Sequence, residues 1–308
     1  MPPPLSINII YNKTNTYGLK DDVEVIERIL RKLQDSIGHP ISKPRLVDMR
    51  EPLIHSDINI HLEIPIFAAI PWAHTNIMLV NPEQWSYAYD SYVHAFDALI
   101  FRDPVSAIKF RAAFIEKGIS TDNFYVVPWC ASWQQSNYKG QYSTSADDGF
   151  VSFVAGSTSK YEYLKQVLPY WLPTDPTLTV YTTRQDFADG LYDLAENVTV
   201  KCQDLSLEEQ RSISSLHSGH LICSQGEAFG YAAANAEVCG AFSIMNFLPT
   251  FEHFYDNPTG ISWLANSYVE STKVRYSTAK PTATIREELD AAFNAFRTCD
   301  FSEICKIR

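Results

Sequence analysis

The sequence predicts an α/β protein made of two Rossmann-like domains, each a parallel sheet with helices on both faces. Three observations lead there. Short apolar runs alternate with segments of helical period along most of the chain, which is the pattern of repeated βαβ units. One polar, aperiodic stretch, "SWQQSNYKGQYSTSADDG" at 132–149, interrupts the alternation, which then restarts. The length of 308 residues also exceeds the usual single domain and suits two, each with its own core. The expected organisation is an N-terminal domain over 1–135, a linker over 136–148, a C-terminal domain over 149–283 and a terminal helix over 284–308. That last helix either completes the second domain or crosses back onto the first.

The elements follow in order. "LSINII" reads as a buried strand, and "DDVEVIERILRKLQDSIG" places Val23, Ile26, Leu30 and Leu33 on one helical face, with Asp21 and Glu24 near its start and Gly38 at its stop. Strands recur at "RLVDM", "DINIHLE", "NIMLV", "DALIF" and "FYVVP", and "PVSAIKFRAAFIEKG" is a helix with Pro104 in its first turn. Beyond the linker, "FVSFVAG", "LTVYTT", "VTVKC", "GHLICS" and "FSIMN" read as strands. "SKYEYLKQVLPYW", "LEEQRSISSLHSG" and "GYAAANAEVCG" are the helices between them.

Composition narrows the class. A formal net charge of −11 argues against a general nucleic-acid or anionic-membrane surface, so an anionic ligand must be met by a few local cations or by backbone N–H groups. The six cysteines form no C-x-x-C pair and no zinc-like spacing with histidine, which fits thiols in a reducing compartment. "MPPPLSINIIYNKT" lacks the pattern of a signal peptide and no apolar run is long enough to span a bilayer, so a cytoplasmic protein without a transmembrane segment is expected.

Several chemistries lose their markers. The first βα turn, "YNKTNTYG", lacks G-x-G-x-x-G. "SQGEAFG" lacks the Gly-Lys-Ser/Thr of a P-loop, and neither Asp-x-Asp nor G-x-S-x-G occurs. In open parallel sheets ligands sit beyond the carboxyl ends of the strands, so two such domains facing each other would form a cleft lined by residues that follow strands. That rule selects Glu63, Asn81, Gly156 to Lys160, Thr183, Arg184 and the stretch "CSQGEAFGYAAANAEVCGA". In "VAGSTSK", Gly156, Ser157, Thr158 and Lys160 suit either a diphosphate cradle at a helix start or a simple helix cap with a solvated lysine. Arg184 is either a second cation for the site or a surface residue. Glu227 lies in a Gly-flanked turn, and Asn235, eight residues on, is expected to share its helical face and contact a ribose.

The order of these pieces resembles the two-Rossmann nucleotide-sugar glycosyltransferases, the GT-B fold, and especially their family 4-like group. That group carries an "EGFG" turn, a second Glu eight residues on, and "A-x-x-CG". Here "EAFGYAAANAEVCGA" keeps Glu227, Phe229, Gly230, Ala236, Cys239, Gly240 and Ala241 in register, with Ala228 in place of the Gly and Asn235 in place of the second Glu. "DINIHLE", "NIMLVNPEQW", "FDALIFRD" and "FVSFVAGSTSK" look like further segments of a subgroup, so the likeness runs over about 57–255.

The resemblance implies a hexosyl- or pentosyltransferase that moves a sugar from a nucleotide-diphosphate donor, of UDP or GDP type, to a glycan hydroxyl. It would use no metal or other cofactor and would retain anomeric configuration. Glu227 would contact donor hydroxyls, and Lys160 with the backbone around Gly156, Ser157, Thr158 and Gly226 would bind the diphosphate, with Asn235 at the ribose. On the acceptor side Asn81, Glu83, Trp85 and His74 are candidates, with Trp72 as a stacking surface. Glu63 is the first choice for a base should one be needed, with His61 behind it. The competing reading is a two-domain nucleotide-sugar or sugar binding protein without turnover, suggested by Asn235.

Overall fold

The computed structural model describes residues 3–14, 18–131, 149–154, 158–191, 193–255 and 259–307. The expected linker at 136–148, and Gly156 and Ser157, lie outside the described residues. The chain divides into two compact units, one of Met1–Ser132 with Ser271–Tyr276, the other of Trp133–Glu270 with Ser277–Arg308.

Unit 1 runs β1 (Ile7–Tyr11), α1 (Gly18–Ile37), β2 (Arg45–Asp48), β3 (Ser56–Glu63), β4 (Ala73–Val80), β5 (Ala98–Phe101), α2 (Pro104–Glu116) and β6 (Phe124–Val126). Its six strands are all parallel, in the order β2-β1-β3-β4-β5-β6. Every residue of β1 is buried, as a strand covered on both faces requires. The helix α1 begins three residues before the expected Asp21. α2 starts where foreseen: Asp103 caps it by accepting from the Ser106 N–H at 2.7 Å, and Pro104 takes the first turn. The links around β4 are short 3-10 helices, Phe67–Trp72, Pro82–Gln84 and Tyr87–Ala95, which the apolar period did not foretell.

An aromatic core of Trp85, Phe101, Phe110, Phe114 and Phe124 fills one side of this sheet. At its rim the buried Asp90 accepts from Trp85 Nε1 at 3.0 Å and from Lys117 Nζ at 2.7 Å, and it pairs with Arg275. Burial raises the Asp90 pKa, and the Arg275, Lys117 and Trp85 donors outweigh it and leave it low.

Unit 2 runs β7 (Phe150–Val154), α3 (Thr158–Val167), β8 (Leu178–Thr182), α4 (Gln185–Asp189), β9 (Val198–Cys202), α5 (Leu207–Leu216), β10 (Gly219–Ile222), α6 (Tyr231–Val238) and β11 (Phe242–Asn246). It continues with α7 (Pro249–Phe254), β12 (Ile261–Leu264), the hairpin strands β13 (Asn266–Glu270) and β14 (Ser277–Pro281), α8 (Ile285–Arg297) and α9 (Phe301–Ile307). The main sheet is again parallel, in the order β12-β11-β10-β7-β8-β9. Counted from β7, this is the doubly wound order 3-2-1-4-5-6 read from β9, and the direction in which strands are added reverses between β7 and β10. α8, with Leu289, Phe293 and Phe296 buried, packs into the unit 2 core against Phe150 and Trp171. The antiparallel hairpin escaped the sequence reading because "NSYVE" and "STAKP" are polar and mostly exposed.

Candidate functional site

The switch point of the unit 2 sheet is where a doubly wound fold opens a crevice, because the helices after β7 and β10 leave on opposite faces. Lys160 stands in the first turn of α3, and Glu227 lies in the bend between β10 and α6. The structure brings them together: Lys160 Nζ is 3.1 Å from Glu227 Oε1. Around the pair a narrow pocket is lined by Ser152, Phe153, His220, Cys223 and Ala232 among others, with about 10 Å³ of space, on the order of one water. The ion pair therefore occupies the crevice that a ligand would enter.

The backbone around Glu227 is held from several sides. Asn246, at the end of β11, accepts from the Ser224 N–H and donates to the Ser224 carbonyl, both at 2.8 Å. Ser224 Oγ donates to the Gly226 carbonyl at 2.7 Å, and the Gln225 N–H donates to the Ser159 carbonyl at 3.2 Å, which ties this loop to the start of α3. Thr250 Oγ1 donates to the Glu227 carbonyl at 3.1 Å. Cys223, just before the loop, is fully enclosed, and burial pushes its thiol pKa far up, so it stays a neutral packing group. Sequence reasoning missed Asn246; its place as the last residue of "FSIMN", at a strand's carboxyl edge, was the available signal.

Gly230 explains the last position of the "EAFG" turn. It caps α6 in the left-handed region at φ +85°, and a Cβ there would lie 2.3 Å from Phe251 Cε1. Phe229 is buried against Tyr231 and Phe254, so it anchors the turn by packing.

One expectation in this unit needs correction. Glu227 and Asn235 do not share a helical face, because α6 starts at Tyr231 and Glu227 precedes it. Asn235 lies inside α6, buried to the same degree as Glu227. Arg184 follows β8, one strand from the switch point, where it pairs with Asp186 and lies 3.9 Å over the Phe187 ring. Thr158 opens α3 beside Lys160.

Unit 1 carries a second polar cluster at the carboxyl ends of β3, β4 and β5. Glu63 ends β3 with φ +70°, a left-handed conformation uncommon for a residue with a side chain. Its carboxyl pKa is raised, first by burial and then by the charge of Asp22, against the lowering pull of Arg102 and of an Asn81 hydrogen bond. Arg102 pairs with the buried Asp22, donates from Nη1 to the Val80 carbonyl at 3.3 Å, and lies 5.3 Å from the Trp129 ring centre. Buried Asn81 Oδ1 and Arg102 Nε have no hydrogen-bond partner among the described residues. Asn81 Nδ2 also reaches Glu83 at 3.4 Å.

Four expectations for unit 1, three acceptor contacts and one base, fail on geometry. Trp85 is fully enclosed in the aromatic core with its N–H given to Asp90, so it offers no ring face to a ligand. His74 and Trp72 lie at the amino end of β4, the opposite edge from Glu63 and Asn81. His61 is completely buried, with Nδ1 accepting from the Ile66 N–H and Nε2 facing Asn76; burial lowers its pKa to about 4, so it is a neutral core group.

Two parallel six-stranded sheets, each in its own compact unit and one in full doubly wound order, define the GT-B class of fold. Solved structures show the same. The chain superposes on a glycosyltransferase from Rickettsia africae with TM-score 0.62 at 9% identity, over 99% of this chain and 92% of that one. It superposes on HepE of Anabaena, solved with UDP and glucose, with TM-score 0.61 at 12% identity, over 98% and 94%. TarM gives TM-score 0.57 at 11% identity, and the chain spans 50% of its length. No family model and no curated protein matches the chain.

Proposed function

We infer that the protein is a glycosyltransferase that moves a sugar from a nucleotide-diphosphate donor to a hydroxyl of a glycan acceptor. The observation that carries this is the meeting of Lys160 and Glu227 at the switch point of a doubly wound sheet, in a fold shared with a protein solved with UDP and glucose. In the transfer, the bond from the anomeric carbon to the phosphate oxygen breaks and a bond to the acceptor oxygen forms. Negative charge grows on the leaving diphosphate, and a cation beside a helix N-terminus stabilises it. Lys160 and the start of α3 supply both, so no metal is needed for this task. Glu227, released from Lys160 as the diphosphate arrives, accepts hydrogen bonds from donor hydroxyls.

We assign retention of configuration, with the acceptor proton passing to the departing phosphate oxygen. Glu63 and Asn81 then serve as hydroxyl contacts for the acceptor on unit 1, where Asn81 Oδ1 and Arg102 Nε supply an acceptor and a donor awaiting partners. A UDP-sugar is the first donor to try, and GDP-sugars the second. The cytoplasm suits a chain whose Cys202, Cys223 and Cys239 are free thiols.

A panel of UDP-, GDP-, ADP- and dTDP-sugars, incubated with oligosaccharide acceptors, tests the reading through released nucleotide diphosphate and the product's anomeric NMR signal. Release with one donor, lost in Lys160→Ala, supports it. Binding of a donor without release under every acceptor would replace the enzyme with a binding protein.

A further inference from the structure

Three neighbouring strands of unit 1 end in polar residues whose hydrogen-bonding capacity is only partly used. Glu63 ends β3, Asn81 follows β4 and Arg102 follows β5, and the parallel register of these strands sets the three side by side. The direction of the Asn81 amide is fixed by its neighbours. Nδ2 donates to Glu83 Oε1 at 3.4 Å and Asn81 also bonds Glu63, and because an ionised carboxylate only accepts, the amide oxygen is the atom turned away from both. Arg102 is spent on one side too. Nη1 donates to the Val80 carbonyl and Nη2 pairs with Asp22, which leaves Nε. Asn81 is 9% and Arg102 5% exposed, and among the described residues Oδ1 and Nε have no partner. A buried orphan acceptor and a buried orphan donor at the same strand ends cost the free protein stability, which an incoming group returns.

Their polarity selects that group. A carboxylate or a phosphate dianion accepts from Nε but gives no proton to Oδ1, and an ammonium donates to Oδ1 but accepts nothing from Nε. A hydroxyl does both. Charge points the same way, because the carboxylates of Asp22, Glu63 and Glu83 stand against a single guanidinium. The rest of this edge does not reverse the sign. Asp103 is a further acid, capping α2; Lys13 and Arg50 are paired with Glu51 and Asp48; and the exposed Lys20 is followed by Asp21. An anion would enter against that field. We propose, resting on the reading of the protein as a glycosyltransferase, that unit 1 takes a neutral, hydroxyl-bearing acceptor and rejects acidic, phosphorylated and amino sugars. Glu63 and Glu83, only partly buried, turn from Asn81 to further hydroxyls of that sugar as it enters.

Two measurements test the proposal. In the first, an array of neutral glycans, each also present with a uronic acid, phosphate or amine group, is labelled with tritiated UDP- and GDP-sugars. Label should fall on the neutral glycans and be about ten-fold lower or less on their charged counterparts. Equal or preferential labelling of the charged forms would overturn the proposal. The second uses variants. Arg102→Lys keeps a cation on Asp22 without Nε, and should raise the acceptor KM about ten-fold or more with UDP affinity by calorimetry unchanged. Asn81→Leu, of similar volume, removes the orphan oxygen, so Tm should hold or rise while the acceptor KM climbs. A Tm drop of several degrees in Asn81→Leu, the mark of a satisfied buried amide, would overturn the proposal whether or not an acceptor is found. Failure of the wild type to bind any nucleotide counts against the donor reading, and the Tm of Asn81→Leu then decides this one.

Discussion

Gly230 shows how a short motif becomes legible once its backbone is known. The register of "EAFG" placed it in the turn, but only the structure shows that φ is +85° and that Phe251 fills the space of a Cβ. A left-handed alanine costs about 1–2 kcal/mol and overpacking about 1–3 kcal/mol more, so Gly230→Ala should lose roughly 2–5 kcal/mol in urea denaturation. Phe251→Leu in the same chain should return part of that. Glu63 was chosen as a strand end; its left-handed backbone could not be read, because a positive φ at a residue with a side chain is imposed by what surrounds it. Its raised pKa has a sign that can be checked. Glu63 holds its proton more tightly in the folded state, so its ionisation weakens folding, and that penalty is absent below the ordinary carboxylate range and grows as pH rises through the folded pKa. Glu63→Gln should therefore raise Tm over wild type at about pH 7 and match it near about pH 4.

At the scale of elements, the runs of apolar residues marked most strands of both sheets, since buried parallel strands must be apolar on both faces. What escaped were pieces set by tertiary contacts: the 3-10 helices around β4, the polar hairpin of β13 and β14, and the loop clamp made by Asn246. The clamp fixes the loop that carries Glu227, and its removal leaves the Ser224 N–H and carbonyl unpaired in a buried place. Asn246→Ala should then cost about 2–4 kcal/mol, with Asn246→Asp recovering the half that accepts from the N–H. The aromatic core of unit 1 has a comparable device in Asp90. Asp90→Ala leaves the Arg275 charge, itself nearly enclosed, without its partner, and should destabilise the protein by about 3–5 kcal/mol in the same measurement.

For the whole molecule, the sequence held the two-sheet plan and the placing of Lys160 after one strand and Glu227 after another, but their ion pair came only with the structure. It did not hold the depth of each residue. Trp85 and His61 looked available and are enclosed, because their enclosure is set by neighbours far away in the chain. The central claim is that Lys160 at the unit 2 switch point receives the donor diphosphate and that Glu227 guards it until then. Titration calorimetry with UDP and a UDP-sugar on wild type, Lys160→Ala and Glu227→Gln tests it most directly. Lys160→Ala should weaken UDP by about ten-fold or more, as loss of a charge-assisted contact does. Glu227→Gln should bind UDP as tightly as wild type or tighter, and lose the added affinity for the sugar. UDP binding unchanged in Lys160→Ala would contradict the account.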